Sequence, residues 1–184
     1  MDREELIKDI VEWELIMFLS TPNEGGTATC QQRPETFKIM RWMAHAVHEE
    51  STLLSYQEDL RMAENTGRTF MIEKYALMDG RIPPISDNEL VRSIAECEAR
   101  WMQEAAERYP HSLQNRGDDM FLRYISCELQ TLSDHTLECY AAEVRAALAE
   151  GRNMVEERHN LLCRKMGFDS LQQREDSLVT PNPA

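Results

Sequence analysis

The chain has 184 residues, is 42% hydrophobic but only 7% aromatic, and carries a formal net charge of −13. That length suits one domain with a single core, and an alphabet led by Leu, Ala, Glu, Arg and Met favours helix over strand. The negative balance repels phosphate backbones and anionic headgroups, so nucleic acid and membrane surfaces are excluded as expected partners.

The opening Met1-Asp2-Arg3-Glu4-Glu5 and the absence of any apolar run near ~18 residues predict neither a secretory signal nor a membrane span, hence a cytoplasmic protein. Five cysteines, Cys30, Cys97, Cys127, Cys139 and Cys163, are scattered without a CxxC pair and read as free thiols of a reducing compartment.

In chain order, Leu6, Ile10, Trp13 and Met17 recur at helical spacing beside a second stripe of Ile7, Val11 and Phe18 that Glu14 interrupts, predicting a first helix over 2–19. Pro22, Gly25 and Gly26 make 20–33 a loop, and Pro34 opens a second helix with Phe37, Met40, Ala44 and Val47 inward. A third starts near Ser51 with Leu53, Tyr56, Leu60 and Ala63 inward and stops at Gly67, and a fourth covers 69–78. After Pro83 and Pro84, Ser86 and Glu89 suggest a capping box for a fifth helix reaching 108. Phe121, Ile125, Leu129 and Leu132 define a sixth, Ser133 caps a seventh that ends at Gly151, and an eighth stops at Gly167. The polar stretch from Asp169 reads as a flexible tail. The expected fold is all-α: a compact bundle of about eight helices in one domain over 1–168, with a tail over 169–184.

Residues 37–78 align without gaps on 121–162 at an offset of 84, with ten identities in 42 positions that include Tyr56/Tyr140, Gly67/Gly151 and Arg68/Arg152. Two copies are too few for a solenoid, so the pattern points to a duplicated three-helix unit inside a bundle.

Functional groups concentrate in the loop from Asn23 to Gln31, where Glu24, two glycines, two threonines and Cys30 lie together. Cys30 just before a helix start is a candidate for a lowered thiol pKa, although no histidine partner is assigned. Glu14 and Glu128 each fall on an apolar helix face and therefore need a cation, a hydrogen-bond network or a proton, with Arg41, Lys74 and Arg123 available. Ion pairing is the favoured reading, and general acid/base chemistry or metal binding the other. His45, His48 and Glu49 on one helix and Glu156 with His159 are weak metal candidates, because the 84-residue counterparts of the latter pair are Ile72 and Tyr75.

The ordered residues Trp13-Glu14, Met17-Phe18, NEGG with Ala28 and Cys30-Gln31, Phe37 with Met40-Arg41, Tyr56 with Asp59-Leu60, and Glu73-Lys74-Tyr75-Ala76 with Met78 resemble an uncharacterised bacterial family, a domain of unknown function. The likeness runs on through Trp101, Tyr109-Pro110, Glu128-Leu129, Tyr140 and Ser170-Leu171. It implies that Glu14, Glu24 and Cys30 belong to a recurring pattern, and it supplies no activity. Gln32-Arg33 and Cys127 depart from the pattern, where acidic residues and a glycine are usual, and His45 and His48 lie outside it.

Three functions follow as expectations. The first is a small-molecule-binding protein or enzyme whose polar pocket is formed by the first helix and the NEGG loop, with Glu14, Asn23, Glu24, Cys30, Gln31, Arg41, Tyr56 and Glu128 around the ligand, and Glu14, Glu24 and Cys30 as catalytic candidates. The others are a carboxylate-rich divalent-metal bundle and an acidic interaction module without catalysis. Cofactor and oligomeric state are left open.

Overall fold

The structure, a computed structural model, describes residues 2–22, 29–114 and 119–179, apart from the side chains of Thr29 and Cys30. The described residues form nine α-helices, one short 3-10 helix and no strand. In chain order these are α1 (Arg3–Ser20), the 3-10 helix (Thr29–Gln32), α2 (Pro34–His45), α3 (Glu50–Thr66), α4 (Phe70–Met78), α5 (Glu89–Arg108), α6 (Asp119–Leu129), α7 (Asp134–Ala149), α8 (Met154–Lys165) and α9 (Leu171–Val179). None is long and apolar enough to cross a membrane.

Local chemistry explains most of the boundaries. Asp2 accepts from the Glu5 amide while Glu5 reaches back to the Asp2 amide, a reciprocal cap that starts α1. Ser133 caps α7 through the Thr136 amide. Helices α3 and α7 both end on a glycine in the left-handed region, Gly67 at φ 68° and Gly151 at φ 67°, where a side chain would be strained. After each glycine an arginine amide reaches back five residues at 2.8 Å, Arg68 to the Ala63 carbonyl and Arg152 to that of Ala147.

Three local expectations are corrected. The cap of α5 is Asn88, whose side chain accepts from the Leu90 amide, while Ser86 accepts from the Asn88 amide one step earlier. The cap position of α3 is Glu49, not Ser51, and it has no side-chain cap bond. The segment expected as a tail contains α9, anchored by fully buried Leu171 and by Glu175, which accepts from the His111 and Ser112 amides. A carboxylate satisfying two loop amides fixes that helix where composition alone suggested fraying.

Two main apolar clusters make the core. One joins α1, α3 and α4 through Ile7, Ile10, Leu53, Leu60 and Phe70, and the other joins α5 to α8 through Ile94, Trp101, Leu137, Ala147 and Met154. Leu53 and Leu137 are wholly buried, worth about 1.5–3 kcal/mol each relative to exposure. Helix α1 packs on α2, α3 and α4, and α5 packs on α6, α7 and α8. Between these halves α3 meets α7, α4 meets α6 and α2 meets α8.

Helix α2 departs from its expected face. Arg41, Met43 and His45 are buried, whereas Phe37, Met40, Ala44 and Val47 are only half-buried. The reason lies in its neighbour α1, which brings Glu14 against this helix and draws Arg41 and His45 inward as its partners.

Candidate binding site

Glu14 is the centre of a buried polar knot. With 0% exposure it accepts from Arg41 Nε at 2.9 Å and Nη2 at 2.6 Å, from Tyr56 Oη at 2.7 Å and from His45 Nε2 at 3.0 Å. Three of these donors converge on Oε1, and Arg41 Nε meets Oε2. Burial opposes ionisation of Glu14, but the Arg41 charge and the His45 contact outweigh it and hold the carboxyl far below the usual carboxylate range. Such a group does not donate a proton near neutral pH. Its chemistry is to fix Arg41.

The other edge of the Arg41 guanidinium meets Glu128, with Nη1 at 3.0 and 3.1 Å from the two oxygens. Lys74 Nζ donates to Glu128 at 3.0 Å and to Tyr124 Oη at 3.1 Å. Burial disfavours the Glu128 charge, yet Arg41 and then Lys74 bring its pKa down to about 2. Burial likewise works against the Lys74 cation, and Glu128 more than restores it. Two carboxylates and two cations alternate along this chain, so the knot is electrically balanced within itself.

A second knot lies in the other half. Glu98, also at 0% exposure, accepts from Tyr140 Oη at 2.7 Å and from both terminal nitrogens of Arg158. In both knots the tyrosine follows the glutamate by 42 residues. Nothing in the sequence reading singled out Glu98. Extending the 84-residue offset backwards, from Glu14 to Glu98, is the signal that finds it.

Arg41 and Tyr56 thus join Glu14 directly, and Glu128 joins it through Arg41. Gln31 does something else: its amide donates to the Phe18 and Thr21 carbonyls at 2.8 and 2.9 Å, so it closes the end of α1 and ties the incoming chain to it. Asn23, Glu24 and the Cys30 side chain lie outside the described residues. Arg123, offered as a counter-ion, is exposed and takes no part in the Glu14 and Glu128 contacts.

The histidines diverge. His45 turns to Glu14, while His48 Nδ1 lies 2.6 Å from Glu143, which also accepts from Thr52 Oγ1 and the Glu49 amide. The Glu49 side chain is exposed. Glu156 is bonded by Arg108 at 2.6 Å and Tyr109 at 3.0 Å. Among the described residues no group of three or more His, Cys, Asp or Glu is arranged to hold a metal ion.

Arg41 stands where three cavities meet. A cleft of about 450 Å³ beside the start of α2 is lined by Phe18, Phe37 and Met40 together with Arg41, Lys74 and Tyr124. Phe18 and Phe37 stack at 4.3 Å. A methionine-lined cleft of about 420 Å³ runs from Arg41 towards Arg158, and an inner cavity of about 70 Å³ lies between Tyr56 and Tyr140.

The model of a family described as a protein of unknown function, DUF4125, matches residues 4–176. The chain belongs to that family. The DUF4125 match takes in both knots and the lining of all three cavities. No curated protein and no solved structure matches this DUF4125 chain.

Proposed function

We propose that the protein binds a small molecule in the cleft beside α1 and α2, with an apolar body against Phe18, Phe37 and Met40 and a polar end against Arg41, Lys74 and Tyr124. The observation that supports this reading is the placement of a fully paired arginine on the wall of a cleft whose volume lies in the ordinary range for small ligands. A core helix needs no buried arginine, and burying one with two counter-ions is at best neutral for stability. Held by Glu14 and Glu128, the guanidinium is preorganised and presents an unchanging electrostatic surface to the cleft. Glu14, in this reading, positions Arg41 and does not touch the ligand.

The test is native mass spectrometry and elemental analysis of protein purified without chelator, followed by thermal-shift measurement with fractionated cell extract. Retained or stabilising small molecules that are lost on Tyr124→Phe and Met40→Ala, with unchanged helical circular dichroism, are the expected result. Ligand-free protein that no fraction stabilises would sink the proposal.

A further inference from the structure

The charges around the cleft beside α1 and α2 name the class of its ligand, an inference that rests on the reading of that cleft as a small-molecule site. The chain has 33 acidic residues against 20 basic ones, and acids border its other cavities accordingly. Glu128 lines both the inner cavity and the methionine-lined cleft, and Glu73 and Glu156 each line a further surface cleft. The cleft beside α2 is different. Among the described residues its lining holds three cations, Arg33, Arg41 and Lys74, and no carboxylate.

The counter-ions of two of these cations stand behind them. Glu14 holds Arg41, and Glu128 holds both Arg41 and Lys74, yet neither carboxylate is on the wall of this cleft. Coulomb interaction weakens with distance, so a guest in the cleft feels the nearer cations more than the carboxylates behind them. The 84-residue correspondence isolates the feature. Phe37 and Lys74 line this cleft, and their counterparts Phe121 and Arg158 line the methionine-lined one, but where the second has Ile125 the first has Arg41. An apolar side chain fills that register position in one half, so packing does not demand the arginine in the other.

Two donors on this wall are unspent. The Arg33 side chain is exposed and makes no ion pair or hydrogen bond among the described residues. Tyr124 Oη accepts from Lys74, and its own proton meets no acceptor among them. Of the three cavities around Arg41, only this cleft is lined by Lys74, which places the Tyr124 hydroxyl on its side. A carboxylate, which only accepts, answers both donors. One uncompensated cation matches a monoanion, whereas a phosphate dianion calls for a second, and Arg41 and Lys74 are already committed to Glu14 and Glu128.

We infer that the ligand of this cleft is an amphipathic monocarboxylate. Its carboxylate accepts from Tyr124 beside Lys74 and draws in the free Arg33 side chain, while its alkyl or aromatic body lies against Phe18, Phe37 and Met40. An amine of the same body is repelled by the same three cations.

Octanoate and 3-phenylpropanoate are the probes, each beside the amide of the same skeleton, with octylammonium as the opposite charge. Each is titrated into the full chain at pH 7 by isothermal calorimetry. The carboxylates should bind saturably and about five- to tenfold tighter than their amides, and octylammonium should not bind. Arg33→Gln removes no contact of the described fold, so it should keep the helical circular dichroism, weaken the carboxylates about two- to fivefold and leave the amides as they were. No binding of either carboxylate, amides that bind as tightly as the acids, or carboxylate affinity indifferent to Arg33→Gln each overturns the inference. Equal binding of acids and amides removes the charge and spares the cleft as a small-molecule site, a reading that fails separately, on ligand-free protein that no extract fraction stabilises.

Discussion

Arg41 and Glu14, 27 residues apart in sequence, face each other as two parallel hydrogen bonds of 2.6 and 2.9 Å, with Glu14 wholly buried and Arg41 at the edge of the clefts. The planar fork of a guanidinium fits a carboxylate edge in a way that a lysine ammonium cannot. Arg41→Met leaves Glu14 buried with only Tyr56 and His45 and strips Glu128 of one cation. Destabilisation of about 3–5 kcal/mol is expected in urea denaturation. Glu14→Gln combined with Arg41→Met should cost less than the sum of the two single changes, since no uncompensated charge then remains at that edge.

Acid should loosen the protein through the same knot. The folded-state pKa of Glu14 and of Glu128 lies below the ordinary carboxylate value of 4.5, with Glu128 at about 2. A depressed carboxylate contributes stability that is fully present above its unfolded pKa and is lost as pH falls towards the folded one. Stability should therefore begin to fall below about pH 4.5 and keep falling towards about pH 2. Denaturation midpoints measured across that window should decline less steeply for Glu14→Gln than for the parent chain.

Tyr56→Phe and Tyr140→Phe remove equivalent bonds to Glu14 and Glu98, both 2.7 Å long and both buried. Hydrogen bonds to charged groups contribute about 1.5–3 kcal/mol, so each variant should lose stability of that order by thermal or chemical denaturation, and Tyr140→Phe the more because Tyr140 Oη also accepts from Arg158 Nη2. Because the two carboxylates belong to separate knots, the double variant should be close to additive. Strong coupling between the two would show that the inner cavity transmits strain from one knot to the other.

Gly67→Ala and Gly151→Ala probe the two helix ends. Nothing lies within 4 Å of a Cβ added at either position, so any loss comes from the backbone conformation and not from a clash. At φ near +68° that is about 1–2 kcal/mol for an L-residue, and the two variants should agree within error in equilibrium unfolding. If one is silent and the other costly, the two turns are not equivalent.

The helices were legible because apolar spacing and caps act locally. Leu53, Tyr56, Leu60 and Ala63 recur on one stripe of α3 and are all buried, and Gly67 ends that helix by a rule that needs no tertiary partner. The inward glutamates were legible as a problem: the register put Glu14 on an apolar face, and burial of a charge demands a partner. Which partner was not. Arg41, Lys74 and Arg123 were all available by charge, and only the crossing of α2 over α1 and of α4 against α6 chose the first two.

The sequence by itself determined the all-α class, most helix limits, the 84-residue correspondence and the need to neutralise Glu14. Tertiary structure alone decided that α2 turns its polar stripe inward, that Gln31 serves the end of α1, that α9 docks through Leu171 and Glu175, and that Glu98 and Arg158 form a second buried knot. The division has a physical reason. Backbone propensity and capping depend on neighbours three or four residues away, whereas the choice of a counter-ion depends on which helices meet, and the sequence carries no distance between them.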